Sequence, residues 1–358
     1  MIRLKKMNDT KINDRQKTIL ALLSQKGSFS RLEISQSLIS DFPVSKITFV
    51  RDLNNLLDLK LIQSQGKGRA TIYSLPKTHP FLSFIDLENY FSQGPDLRKI
   101  IYQTFNPKIF SQLKNLFTSQ EKKEFNLAET RFSQQIKGKN KTIFRKELER
   151  FIIELSWKSS RIEGNTYSLL ETEELIKKQK EAIGHTRKEA IMILNHKTVF
   201  DLILESKSRF RKLNIADIRF IHTVLTKDLS IDQGLRKKPV GITGTRYHPP
   251  DNQWQVKEYL EKIIRTINLN PHPEEKSFLA SVLISYLQPF MDGNKRTSRM
   301  LSNAILLAYN YYPLSYRSVD EVKYKQALIL FYEQNNLYHC KRLFLEQFRF
   351  ASRTYFRF

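Results

Sequence analysis

The stretch Gln288-Pro289-Phe290-Met291-Asp292-Gly293-Asn294-Lys295-Arg296-Thr297-Ser298-Arg299 decides how the chain is read. Before it, Glu274–Leu287 is mostly apolar and reads as a buried helix; after it, Arg296–Tyr309 reads as another. Pro289 stops the first helix, and Gly293 permits backbone angles that other residues avoid. The loop therefore offers backbone N–H groups at the start of the second helix, a geometry that binds phosphate oxygens. Arg296 and Arg299 lie three apart, hence on one face, and both reach the same anion. Asp292 and Asn294 supply hard oxygen atoms suited to a Mg²⁺ ion bridging those phosphates. The residues together describe a polyphosphate–Mg²⁺ site on a helix–loop–helix.

The same residues resemble the signature of the Fic family, H-x-F-x-D/E-G-N-G/K-R-x-x-R. Phe290, Asp292, Gly293, Asn294, Arg296 and Arg299 match, and Lys295 is a variant shared with the Doc branch. The resemblance spans roughly residues 145–320. Gly234-Leu235-Arg236, Val240-Gly241-Ile242 and Thr245–Pro250 look like the family's flap, which pairs with a target segment by strand addition. Thr245, Arg246 and Tyr247 are then the target-binding residues. Read without the family, Val240–Tyr247 is a short hairpin ended by Pro249-Pro250.

Ser159-Ser160-Arg161-Ile162-Glu163-Gly164 fits the S/T-x-x-x-E-G/N inhibitory helix of one class of these proteins. The resemblance implies that Glu163, in a motif headed by Ser159, pairs with Arg299 and blocks the γ-phosphate of ATP. A bidentate Arg–carboxylate pair competes directly with Arg–phosphate. It also implies an activity: AMP transfer from Mg·ATP to a Tyr, Thr or Ser hydroxyl of a protein. Arg296 and the amides of Gly293, Asn294 and Lys295 would hold phosphates, Asp292 the Mg²⁺, and Arg299 the γ-phosphate. In the Doc branch a GNKR-type loop accompanies phosphate transfer instead; Arg299 and the Glu163 motif favour AMP transfer.

One position departs from the signature. Gln288 stands where AMP-transferring members carry the histidine that takes the proton of the target hydroxyl. A carboxamide has no useful basicity near neutral pH, and losing a general base costs about 10²–10⁴-fold in rate. His222 and His248 are candidates by type for a substitute base; Cys340 reads as buried and inert. The alternative to an impaired enzyme is a DNA-binding regulator that uses a degenerate Fic domain as a nucleotide sensor or target-binding module.

Residues 10–76 support that alternative. Ile19, Leu20, Leu22 and Leu23 give a first helix, and Ser30 with Glu33 forms a capping box for a second. Ser45 caps a third from Lys46 to about Lys60, with Leu53, Leu56, Leu57 and Leu59 inward. Leu61–Gln65 and Ala70–Leu75 read as strands around the basic tip Gly66-Lys67-Gly68-Arg69. The pattern resembles a winged helix-turn-helix. It implies Lys46, Thr48, Phe49 and Arg51 exposed at the start of the recognition helix, with Lys67 and Arg69 near phosphates. DNA sites with two-fold symmetry would favour a homodimer.

Composition bounds the rest. The 358 residues carry a net charge of +24, with 60 basic and 36 acidic side chains. That excess favours polyanion partners, although residues 1–75 hold only 13 Lys/Arg against 6 Asp/Glu. A solvated basic surface gives the same balance. The single cysteine excludes a disulfide framework and a thiolate zinc cluster. No apolar run reaches membrane length and the N-terminus has no secretory h-region, so the expected setting is soluble and cytoplasmic, with no membrane partner. The expected architecture is mainly α. It comprises a winged helix-turn-helix at 10–76, a helical connector at 77–140, and a Fic-type helical bundle with a β-hairpin flap at 141–358, its inhibitory helix near 150–165.

Overall fold

A computed structural model describes residues 12–59, 61–76, 79–137 and 141–357, with the side chains of residues 24–26 and of Arg69 outside the description. The chain divides into two compact units between Phe84 and Ile85.

The first unit runs α1 (Asp14–Lys26), β1 (Ser28–Ser30), α2 (Arg31–Leu38), α3 (Lys46–Asp58), β2 (Gln63–Gln65) and β3 (Ile72–Ser74). Ser30 and Glu33 form the expected reciprocal capping box, and Ser45 caps α3. The strands make one antiparallel sheet in the order β1-β3-β2, with Phe29 opposite Tyr73 and Ser64 opposite Tyr73 on the other side. Three-residue β1 lacks any period to read, which is why the sequence pattern supplied only β2 and β3. Ile19, Leu23, Ile34, Leu38, Leu53 and Leu56 fill the core. Phe49, expected on the exposed start of α3, is instead buried. Its place on the helix is the one that faces the core together with Leu53 and Leu56, four and seven residues on. Lys46, Ile47, Arg51, Asn54 and Asn55 form the solvent side of α3, and Lys67 is exposed. Arg69 lies outside the described side chains.

The second unit is helical: α4 (Leu87–Tyr90), α5 (Ser119–Lys137), α6 (Lys141–Ile162), α7 (Leu169–Lys178), α8 (Arg187–Glu205), α9 (Ile215–Leu225), α10 (Gln253–Leu269), α11 (Pro273–Leu287), α12 (Asn294–Ala308), α13 (Glu321–Gln334) and α14 (Tyr338–Thr354). At its centre α11 and α12 pack side by side and are buried nearly all round. Small residues permit the approach: Ser277 Oγ meets Ser302 Oγ at 2.7 Å, and Ser285 Oγ meets Ser298 Oγ at 2.8 Å. These two pairs also fix the helices as antiparallel. Helix α10 packs on α11, and α6, α8 and α9 lie against α12.

The expected connector does not stand apart. From Ile85 onward it belongs to the helical unit. Phe105 stacks on Tyr259 and Tyr286, each at 4.7 Å, and Phe125 packs on Phe348 at 4.3 Å. Its aromatic residues, rather than its prolines, decide its allegiance, because each buries a large apolar area that only the bundle can cover. The expected flap hairpin is absent as well. Residues 240–247 hold one turn, at 243–244, and no strand, and the nearest ladder contact is a single parallel bridge from His248 to Thr104. Arg236 explains the shape: its guanidinium binds the carbonyls of Gln288, Lys238 and Pro250, pulling the segment onto the end of α11 instead of leaving it to pair with itself. Among the described residues no helix is long and apolar enough to cross a membrane.

Because Phe125 is fully buried among Phe117, Phe344 and Phe348, Phe125→Ala is expected to destabilise the whole helical unit by about 3–5 kcal/mol. Chemical denaturation followed by two probes should show one shifted transition. A separate early transition confined to residues 85–137 would contradict the shared core.

Candidate active site

The loop joining α11 to α12 is built by identifiable local constraints. Gln288 closes α11 in the left-handed region, at φ 51°, with its N–H donating to Ile284 O at 3.0 Å. A residue preceding proline is driven out of the right-handed helical region, so the helix ends here. The carbonyls freed at this end are answered by the buried Arg236: its Nε donates to Gln288 O at 2.6 Å and its backbone N–H to Pro289 O at 3.0 Å. Asn294 staples the loop from the other side, donating to Phe290 O at 2.8 Å and accepting from Phe290 N at 2.9 Å.

Gly293 begins α12 at φ 77°. A Cβ there would stand 3.0 Å from Thr226 Cγ2 and 3.5 Å from both Arg296 and His222. Both the angle and the crowding demand glycine. No side chain caps α12, so the first N–H groups of the helix keep their positive end for an anion. Arg296 is buried beside them. Its Nη2 binds Asp292 Oδ2 at 3.2 Å, while its Nη1 is buried with no partner. An orphaned guanidinium N–H near an uncapped helix start fits a phosphate oxygen. Asp292 keeps a carboxylate that is 70% exposed, Oδ1 accepting from Gly293 N–H at 2.5 Å. Lys295 is partly exposed.

His222 lies under the loop, its ring stacked on Phe290 at 3.7 Å and 8°. Its Nε2 donates to Asp292 O at 3.0 Å, since a carbonyl only accepts. Burial lowers its pKa to about 4, against the raising effect of that carbonyl. It is therefore a neutral support whose free nitrogen, Nδ1, is buried. His248 is exposed and held by its backbone N–H to Gln103 O at 2.7 Å. Gln288 is buried, and its Nε2 donates to Ser285 O at 2.6 Å. Cys340 is buried, with its thiol pushed up by burial, as the inert reading expects.

Arg299, on the next turn of α12, is 1% exposed. Its Nη1 stands 2.8 Å from Glu163 Oε1, at the end of α6. Nε donates to Ser159 Oγ at 3.0 Å and Nη2 to Ser159 O at 2.9 Å. The cation also sits over the Tyr324 ring at 5.5 Å. Burial alone would raise the Glu163 carboxyl, but Arg299, helped by Lys295 and Arg296, outweighs it and holds the group below its ordinary value. Ser159, Glu163 and Arg299 are thus brought together as the sequence predicts, 140 residues apart in the chain in the Ser159–Arg299 case. His196, Tyr324 and Arg236 were not among the predicted site residues. His196 and Tyr324 sit on other helices with no local motif; Arg236 had only its place in Gly234-Leu235-Arg236.

The segment named as the flap is held on one side by its own chain. Arg246 Nη2 donates to Arg98 O at 2.8 Å, Thr245 Oγ1 to Glu333 Oε1 at 2.6 Å, and Arg98 Nη2 to Gly244 O at 2.6 Å. Tyr247 is buried, its OH donating to Tyr286 O at 2.8 Å. Val240–Thr243 is at least partly exposed.

Residues 212–306, which hold this two-helix motif and its loop, match the model of the Fic/DOC family. The chain is 27% identical over 175 residues to the protein adenylyltransferase Fic of Drosophila ananassae, and equally so to that of Drosophila melanogaster. In each case the match covers 47% of this chain and 35% of the relative, so the chain spans about a third of the length of these curated proteins. Among solved structures, a fragment of Fic-1 from C. elegans superposes with a TM-score of 0.54 at 20% identity, covering 65% of this chain and 69% of that one. A Fic family protein from Desulfovibrio desulfuricans gives 0.52 at 23%, covering 73% and 75%. The helical unit therefore has the Fic fold.

Three buried histidines impose a pH dependence. Burial lowers His196 to about 3 and His222 and His339 to about 4. The unfolded chain protonates them near pH 6.5, so their contribution is full above that value and is lost as pH falls through the interval toward 4. The thermal midpoint should decline over that window, and His222→Gln should flatten the decline. An identical slope in the variant would contradict the neutral, buried assignment.

Proposed function

We propose that this chain is a Fic-type protein adenylyltransferase, restrained by Glu163 and weakened in its chemistry by Gln288. The observation that carries the reading is the ion pair between buried Arg299 and half-buried Glu163 at 2.8 Å, beside an uncapped helix start with an unpartnered Arg296 N–H. The curated relatives, whose names describe protein adenylyltransferases, support the reaction class.

In this reading Arg296 Nη1 and the first N–H groups of α12 bind phosphate oxygens of ATP, and Arg299 Nη1 binds the terminal phosphate once Glu163 releases it. Asp292 would hold Mg²⁺ through its exposed carboxylate. The ion, shared with the phosphates, would neutralise their charge. The target hydroxyl forms a bond to the α-phosphorus as the bond to pyrophosphate breaks, and its proton must leave. At the position of the family's histidine, the Gln288 amide is already committed to Ser285 O and has no basic atom. The scaffold binds and orients; proton removal is the missing step.

Label transfer from α-³²P-ATP with Mg²⁺, to the chain itself and to lysate proteins, tests this. Glu163→Gly alone is expected to bind ATP more tightly yet label slowly. Adding Gln288→His should raise the rate by about 10²–10⁴-fold. No label in the double variant would overturn the enzyme reading; equal label without the histidine would place the base elsewhere.

A second reading concerns the first unit. Its order of helices and strands, with the exposed face Lys46, Ile47, Arg51, Asn54 and Asn55 on α3 and exposed Lys67 in the β2–β3 turn, suits a winged helix-turn-helix that binds DNA. Arg51 and the asparagines are the side chains that read base edges bidentately, whereas Lys67 suits phosphate. Selection from a random-site library should return a defined sequence. Arg51→Ala should then relax that preference, while Lys67→Ala weakens all sequences alike. An unselective library would exclude the reading.

A further inference from the structure

The buried groups around Arg299 extend beyond the residues used so far. His196, on α8, is fully buried, and its Nε2 lies 2.9 Å from Ser159 Oγ. We infer that His196 is a positioning residue: acting through Ser159, it fixes one edge of the Arg299 guanidinium so that Nη1 alone exchanges between Glu163 and the terminal phosphate of a nucleotide. The inference rests on the nucleotide-binding reading above.

The hydrogen-bond inventory sets every direction in this chain of contacts. Met192 O stands 2.8 Å from His196 Nδ1, with Ser160 Oγ a longer neighbour at 3.4 Å. A carbonyl only accepts, so Nδ1 carries the ring proton. Burial keeps the ring neutral, which leaves Nε2 with a lone pair. Ser159 must therefore donate its hydroxyl proton to His196, and its oxygen lone pair is turned to Arg299 Nε at 3.0 Å. The carbonyl of the same serine takes Nη2 at 2.9 Å.

Two donors on one edge of the guanidinium thus end on one residue. The other edge differs. Nη1 meets Glu163 at 2.8 Å and Tyr324 OH at the longer distance of 3.4 Å. When Glu163 leaves, the Ser159 edge stays in place and Nη1 is freed for another anion. Without an acceptor at position 196 the Ser159 hydroxyl is buried with an unplaced proton, rotates to find another partner, and stops presenting its lone pair to Nε.

Calorimetric titration of the full chain with Mg·ATP and, separately, with AMP tests this in four variants: Glu163→Gly, and Glu163→Gly combined with His196→Phe, His196→Gln or Ser159→Ala. Relative to Glu163→Gly alone, His196→Phe and Ser159→Ala should each weaken Mg·ATP by about tenfold, the worth of one hydrogen bond to a charged group. AMP, which has no terminal phosphate for Arg299, should bind unchanged. His196→Gln should recover most of the loss, because its amide oxygen accepts the serine proton. Unchanged Mg·ATP affinity in His196→Phe or Ser159→Ala would overturn the inference, as would equal weakening of Mg·ATP and AMP, the mark of general disruption. Should His196→Phe fail to fold, Ser159→Ala decides alone. If Glu163→Gly binds Mg·ATP no better than the parent chain, the inhibitory reading fails and this inference with it; a tight Glu163→Gly indifferent to position 196 rejects only this inference.

Discussion

A guanidinium that is 1% exposed in the middle of a helical bundle constrains everything packed around it. Arg299 leaves water only if its charge is balanced and its N–H groups are received, because an isolated buried cation costs far more than a domain's net stability. The partners come from different helices: Ser159 and Glu163 from the end of α6, Tyr324 from α13. Removing one partner of such a pair typically costs about 3–5 kcal/mol, since the other charge is left behind. Helix α6 is therefore tied to α12 by chemistry as well as by packing. In the proposed function the same cost makes the pair exchangeable, since a phosphate that replaced the carboxylate would leave the cation paired.

The loop before α12 solves a different problem, that of turning between two helices buried on all sides. Each end exposes backbone groups that would otherwise lack partners. Arg236 answers the carbonyls at the end of α11, Asn294 closes the loop on Phe290, and His222 supports it from beneath by stacking and by donating to Asp292 O. The donors at the start of α12 are left uncapped by any side chain, and beside them Arg296 Nη1 is buried without a partner. An exception of this kind inside a well-satisfied core is where a ligand is expected.

What the sequence made legible was what is local. The helices on either side of the loop, the cap at Ser45 and the box of Ser30 with Glu33 depend on neighbours within a few residues, and they stand where the pattern put them within a residue or two. The pairing of Glu163 with Arg299 is not local; it was legible only because both motifs resemble parts of one family. Elements without either signal escaped. Phe49 is buried rather than exposed because it shares the helix face of Leu53 and Leu56. The flap forms no hairpin because Arg236 and the contacts with Arg98 and Gln103, remote in sequence, outcompete self-pairing. His196 had no motif at all, and its role follows only from the direction in which each proton must point.

In the proposed function Glu163 and Gln288 act on different steps, and their separate hydrogen-bond partners have a thermodynamic consequence. Glu163 touches Arg299, and in the proposed function it would act on how nucleotide sits. Gln288 touches Ser285 and, through its carbonyl, Arg236, with no hydrogen bond to either Glu163 or Arg299. Residues that share no partner usually contribute additively in free energy. The effects of Glu163→Gly and Gln288→His on the rate of AMP transfer should therefore multiply, one through binding and one through proton removal. A coupled outcome, with the histidine effective only at the expense of nucleotide affinity, would require the loop itself to shift. Arg236, Asn294 and Gly293 are arranged to prevent such a shift.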